Sequence, residues 1–170
     1  MKTARHLERL EPLILQPLHG LSKQDWLRAP RGKWSIVQIV QHVGIGIDLV
    51  AHAFRELAES SPMDRQNKPH QTVLRHLTLG AGTYPGALKA LPHAKPDAQP
   101  DAELVSAQFR MGVEEYRKLT GSWSQDAQQS RFVPHPLLGD LNLPEWIRFH
   151  YLHSRHHARE IRARLKWLGK

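Results

Sequence analysis

The stretch FHYLHSRHHAREIRARLKW, residues 149–167, places His150, His153, His156 and His157 within eight positions, and five arginines and lysines follow, the last of them Lys170. Imidazoles bind divalent metals and carry protons near neutral pH, so this pattern suits a metal site, a pH-sensitive basic surface or a set of hydrogen-bonded core histidines. On a helix, side chains four residues apart stack one turn above the other. His153 and His157 can therefore offer a lone pair each to one ion. Hydrogen-bonded histidines inside a bundle have the same spacing, and a third ligand from another helix decides between the two. His42 is the candidate, because it lies at the margin of an apolar stripe with Gly46 one turn on. No H-E-x-x-H is present, so nothing points to a zincin-type protease.

These residues need helices to position them, and helical periodicity dominates the chain. The first segment, about Thr3 to Leu18, carries Leu7, Leu10, Leu13 or Ile14, and Leu18 at helical spacing, with Pro12 expected to kink or divide it. A short helical turn is expected from Ser22. The second long helix is expected to start at Ser35, which caps it and forms a capping box with Gln38, and to run to about Ala58. Residues 59–70 read as a loop, Gln71 to Leu79 as a short helix, and Gly80 to Pro100, rich in glycine and proline, as an irregular excursion of the kind that lies over sites. A third long helix is expected from Asp101 to Leu119, with Leu104, Phe109, Val113 and Tyr116 inward. The last runs from Pro144 to about Leu168, capped by Asn142 or Leu143. The fold class is all-α: a single-domain four-helix bundle over residues 1–170 with long crossover loops, an architecture that builds metal sites from facing side chains.

On the last helix, Trp146, Phe149, His150, His153, His157, Glu160, Ile161, Arg164 and Leu168 share one broad face. Arg148, Tyr151, Arg155, Arg159, Arg162 and Lys166 occupy the opposite side, so the terminal charge reads as a solvated face. His150 is expected to be a core histidine bonded to a carbonyl, and Trp34, Trp146 and Trp167 to be packing residues. His52 falls on the polar side of the second helix.

The formal charge of +8 raises nucleic-acid binding as an alternative, through the Arg155, Arg159, Arg162 and Lys166 face, but the basic residues are spread along the chain and no zinc-finger or RNP-type pattern accompanies them. The chain has no cysteine, which excludes disulfides, thiolate ligands and a cysteine nucleophile. The N-terminal segment is interrupted by Glu8, Glu11 and two prolines, so neither a signal peptide nor a membrane span is expected there and the expected location is cytoplasmic.

The motifs GKWSIVQIVQHV, for the second helix, and HPLLGDLNLPEWIRFHYLHSRHHAREI, for the last connection and helix, resemble in that order the DinB/YfiT-like superfamily of metalloenzymes, and the resemblance covers essentially the whole chain. It implies a four-helix bundle in which His42, His153 and His157 bind one divalent metal ion, zinc or nickel, and a metal-dependent transferase or hydrolase that activates a thiol or a water. A low-molecular-weight thiol cosubstrate, a small-molecule substrate and a homodimer are in keeping with the family. Glu160 stands where a glutamine is common and His156 where an arginine is common. Glu160 then has three readings: orienting a ligand histidine, accepting a proton from the nucleophile, or pairing with Arg164. His135, between two prolines, is placed over the mouth of the site or in a plain turn, and His156 faces either the site or a neighbouring helix. The alternative function is a non-catalytic metal-binding or partner-binding helical domain.

Overall fold

The computed structural model describes residues 2–82, 84 and 94–170. Four long helices form the bundle: α1 (Lys2–Leu15), α3 (Ile36–Glu56), α5 (Ala102–Ser122) and α7 (Leu143–Trp167). Between them lie α2 (Lys23–Leu27), α4 (Pro69–Arg75) continued by a π-helical turn (His76–Gly80), α6 (Gln125–Ser130), and a hairpin of β1 (Phe132–His135) with β2 (Gly139–Asn142). Helix α3 packs chiefly on α5 and α7, and α1 on α7 and α5. Around the bundle the order is therefore α1, α5, α3, α7, so α1 and α3, and likewise α5 and α7, are joined across the diagonal. The diagonal links carry α2 in one case and α6 with the hairpin in the other, while α4 and the π-helical turn belong to the long link between the neighbours α3 and α5.

Local chemistry sets the helix ends. Ser35 accepts from the Gln38 backbone and Gln38 Oε1 accepts from Ser35 N at 3.0 Å, so α3 starts at Ile36 as its sequence predicts. The same capping box recurs at Ser22 with Asp25 and at Asn142 with Glu145. Pro12 sits inside α1 without ending it, and the chain tightens to a 3-10 turn at Gln16–Leu18. The buried core joins Leu10 and Ile14 of α1, Ile36, Ile39, Val40, Val43 and Ile47 of α3, Phe109, Val113 and Tyr116 of α5, and Ile147 and Ile161 of α7. Each such side chain contributes about 1.5–3 kcal/mol by leaving water. Helix α3 is apolar and long enough to cross a membrane, but most of that length is buried in the bundle.

Several expectations are corrected. Leu104 is 57 % exposed and Val105 is buried in its place. Arg148 and Tyr151 are half-buried rather than solvated, because α1 packs along that flank of α7 and Tyr151 stacks on His6 with ring centroids 4.6 Å apart. Trp167 is 48 % exposed beneath the Arg28 guanidinium and is no core residue. Of the excursion expected at Gly80–Pro100, residues 83 and 85–93 lie outside the described residues. The hairpin has no counterpart in the sequence reading, which leaves residues 121–143 as a connection.

The hairpin is clamped from three sides. Trp146 Nε1 donates to Val133 O at 2.8 Å, and Asp140 N donates to Asn67 Oδ1 at 2.5 Å. Glu145 accepts from both Nη atoms of Arg65 (3.1 and 2.8 Å), from Arg75 Nη1 (2.5 Å) and from Asn142 N (3.0 Å). Gly139, at φ 71°, is the turn residue, and a Cβ there would collide with the Asn67 side-chain amide, so the position calls for glycine. Glu145→Ala strands two largely buried guanidinium groups and removes half a capping box, and is expected to cost about 2–3 kcal/mol. The check is a lower urea midpoint at unchanged slope.

Candidate metal centre

Helix α3 supplies His42 and α7 supplies His153 and His157, and all three rings are buried at 7 % exposure. Their Nε2 atoms converge: His42 Nε2 lies 3.2 Å and His157 Nε2 2.8 Å from His153 Nε2. Spacing on one helix and facing positions on the next, as the sequence reading expects, bring these side chains together.

The other ring nitrogens fix the tautomers. His42 Nδ1 lies 2.7 Å from the Ala94 carbonyl, which can only accept, so Nδ1 carries the proton and Nε2 a bare lone pair. His157 Nδ1 donates to Glu160 Oε2 at 2.6 Å, which in the neutral ring leaves its Nε2 bare as well. Two lone pairs thus face a single nitrogen of His153, whose Nδ1 has no partner among the described residues. One N–H on His153 satisfies one of them at most. A cation among the three nitrogens satisfies all of them, and four-coordinate zinc with roughly 2.0–2.1 Å bonds would hold its ligand nitrogens about 3.3 Å apart. The donor set therefore fits a divalent ion. Burial lowers the pKa of His42, partly offset by the Ala94 bond, and burial together with the neighbouring imidazoles lowers that of His153 well below the ordinary value. Both rings stay neutral, the form that binds metal.

A second donor group, His156, His157 and Glu160, shares His157, whose Nδ1 already bonds Glu160. Glu160 orients His157 rather than pairing with Arg164, whose Nε donates to Trp34 O at 2.9 Å. The His157 bond holds the Glu160 carboxyl below the usual carboxylate range. Removing such a partner typically weakens metal binding 10- to 100-fold. Glu160→Ala is expected to do so in a zinc titration, whereas Glu160→Gln, which keeps an acceptor, should retain most of the affinity.

Sequence reasoning missed the partner of His42. Ala94 is delivered by a segment held on α3 by Gln38 Nε2 donating to Asp97 O (3.0 Å) and by Gln41, which donates to Asp97 Oδ2 (2.6 Å) and accepts from Asp97 N (2.8 Å). Their capping pattern shows Gln38 in the sequence, but a backbone carbonyl has no sequence signature.

A cavity of about 710 Å³ opens beside the three histidines, lined mostly by apolar and aromatic side chains including Trp34, Leu49, Val133, Trp146 and Phe149. His135, on β1, lines it, as do His156 and Glu160. His156 is half-buried, packing against Tyr84 and edge-on to His157. His150 is buried but bonds no carbonyl: both its ring nitrogens lack partners among the described residues, and its ring stacks on Trp146 and abuts Gly46. Gly46 thus makes room for His150 rather than for His42. Exposed positions include His52, Arg155, Arg159, Arg162 and Lys166.

Two solved structures share this architecture. YfiT from Bacillus subtilis, described as a probable metal-dependent hydrolase with an unusual four-helix bundle topology, is 16 % identical at a TM-score of 0.64, over 99 % of this chain and 86 % of that one. TT2238, a four-helix bundle protein, is 22 % identical at a TM-score of 0.59, over 95 % of this chain and 97 % of that one. Such identities carry the fold alone. No curated protein matches the chain in sequence. The family model of the DinB superfamily matches residues 6–161, from the first bundle helix through His42, His153 and His157, and the chain belongs to that superfamily.

Proposed function

We propose that His42, His153 and His157 hold one divalent cation, zinc or nickel, and that the protein is a metal-dependent hydrolase or a thiol-dependent transferase acting on a small molecule. The observation that carries this reading is the pair of bare Nε2 lone pairs, on His42 and His157, directed at a third imidazole nitrogen in a buried site. Three neutral ligands would leave a bound ion its full charge, and the chemistry it would supply is acidification of water or a thiol and polarisation of an acyl group.

The chain's own residues do the rest. Ala94 and Glu160 hold the His42 and His157 rings in the ligating tautomer. The Glu160 carboxylate also lines the cavity and stays ionised, so it is the nearest base for the proton a nucleophile gives up. Apolar walls keep bulk water from the substrate body. The YfiT description favours hydrolysis, and the absence of any thiolate competitor in this cysteine-free chain is compatible with an external thiol.

The experiment is elemental analysis of untagged protein, followed by ester hydrolysis and thiol-transfer screens with and without a chelator. One equivalent of metal and chelator-sensitive turnover are expected. Substoichiometric metal after saturation with zinc and with nickel would sink the reading, and metal without turnover would favour a non-catalytic binding domain.

A further inference from the structure

The hairpin brings one polar group into the cavity that the three-histidine centre does not use. His135 Nδ1 accepts from two backbone amides, Leu137 N and Leu138 N, each at 3.1 Å. A nitrogen that accepts twice carries no proton, so in the neutral ring the hydrogen resides on Nε2. That N–H has no protein acceptor among the described hydrogen bonds, although the side chain lines the cavity. Burial presses the His135 pKa down to about 4, which keeps the ring neutral. The ring is fixed against Phe149 and Trp146, with centroids 4.6 and 5.3 Å away, and Phe149 in turn stacks on His153 at 5.9 Å.

The surroundings define what such a donor recognises. Among the described lining residues there is no lysine or arginine, and the one carboxylate is Glu160. Arg155 and Arg159 line a separate cleft of about 230 Å³, which shares with the cavity only Tyr84 and His156. A carboxylate or phosphate at the His135 end would therefore be desolvated without a cationic side chain among the described residues to meet it. An uncharged acceptor on an apolar, ring-sized body loses little on entry and gains one bond.

We propose that His135 is a specificity-determining residue whose Nε2–H binds the neutral carbonyl or ether oxygen of an apolar, aromatic-sized substrate seated between Trp146, Phe149 and the three-histidine centre. This rests on the reading of that centre as the reactive site, and deepens it by naming the substrate class.

The test uses three probes of one shape, acetophenone, ethylbenzene and benzoate, titrated by ligand-observed NMR into zinc-loaded protein and into the His42→Ala and His135→Phe variants. Acetophenone should bind roughly three- to tenfold more tightly than ethylbenzene, the ratio one net hydrogen bond gives. The ratio should persist in His42→Ala, whose metal content is measured separately, and fall to about one in His135→Phe with ethylbenzene affinity unchanged. Independently of any variant, the His135 Nε2–H proton should move downfield with acetophenone and not with ethylbenzene. Equal affinities in the wild type, a ratio that survives in His135→Phe, benzoate binding best in His42→Ala, or no binding of any probe would each overturn the proposal. Metal retained at one equivalent in His42→Ala with the ratio intact would instead overturn only the metal reading.

Discussion

His153→Ala should lose stoichiometric binding of zinc or nickel, with affinity lowered by at least about 100-fold, since removing a ligand costs more than removing the hydrogen-bond partner of one. His153 is the residue both other rings face, at 3.2 and 2.8 Å, so its removal leaves two donors and an opened cavity. His42→Ala should act in the same direction by removing the only ligand from α3 and freeing the Ala94 carbonyl. His52→Ala, on the exposed side of the same helix, should change nothing, its side chain being 57 % exposed. The measurement is a competition titration against a chromogenic chelator, with circular dichroism showing that each variant keeps its helices. Metal retained at one equivalent by both His42→Ala and His153→Ala would exclude the assigned ligand set. A loss matched by His52→Ala would point to unspecific binding by a histidine-rich surface.

The parts of this site that were legible in the sequence rest on short-range rules. The Ser35 capping box needs three residues, the His153–His157 stack four, and the placement of His42 only the phase of one apolar stripe. Longer-range features were not legible, for identifiable reasons. A helical wheel assumes one buried face, but α7 meets α3 on one flank and α1 on another, and so half-buries Arg148 and Tyr151. Glu160 reaches both His157 and Arg164 by spacing, and the choice is made by the Trp34 carbonyl, which engages Arg164 from a segment 130 residues away. The hairpin pairs only four residues a side, with Pro134 inside one strand, and it is held by Asn67, Arg65 and Trp146 more than by its own periodicity. Its turn glycine and the Phe132–Val133 pair were the available signal.

The same burial that keeps the site neutral should make the protein acid-labile, and the direction follows from proton linkage. Unfolded histidines protonate near pH 6.5, whereas burial holds folded His150 down to about 3 and folded His135 down to about 4. Between those values the unfolded chain binds more protons than the native one, so stability is complete above pH 6.5, falls as pH decreases through this window, and levels off below the folded values. At pH 5 each of the two groups is about 1.5 pH units past its unfolded midpoint, which amounts to about 2 kcal/mol apiece and about 4 kcal/mol together. That is a large share of the roughly 5–15 kcal/mol that holds a domain of this kind together. His42 and His153, whose pKa values are also lowered, add to the loss in the same direction. Chelator-treated protein should therefore show a steep decline in urea midpoint from pH 7 to pH 5. His150→Phe removes one proton-binding site from the unfolded chain without leaving a void and should flatten that decline by about a third to a half. A pH slope identical in His150→Phe and the wild type would mean that His150 is protonated, or solvated, in the native state.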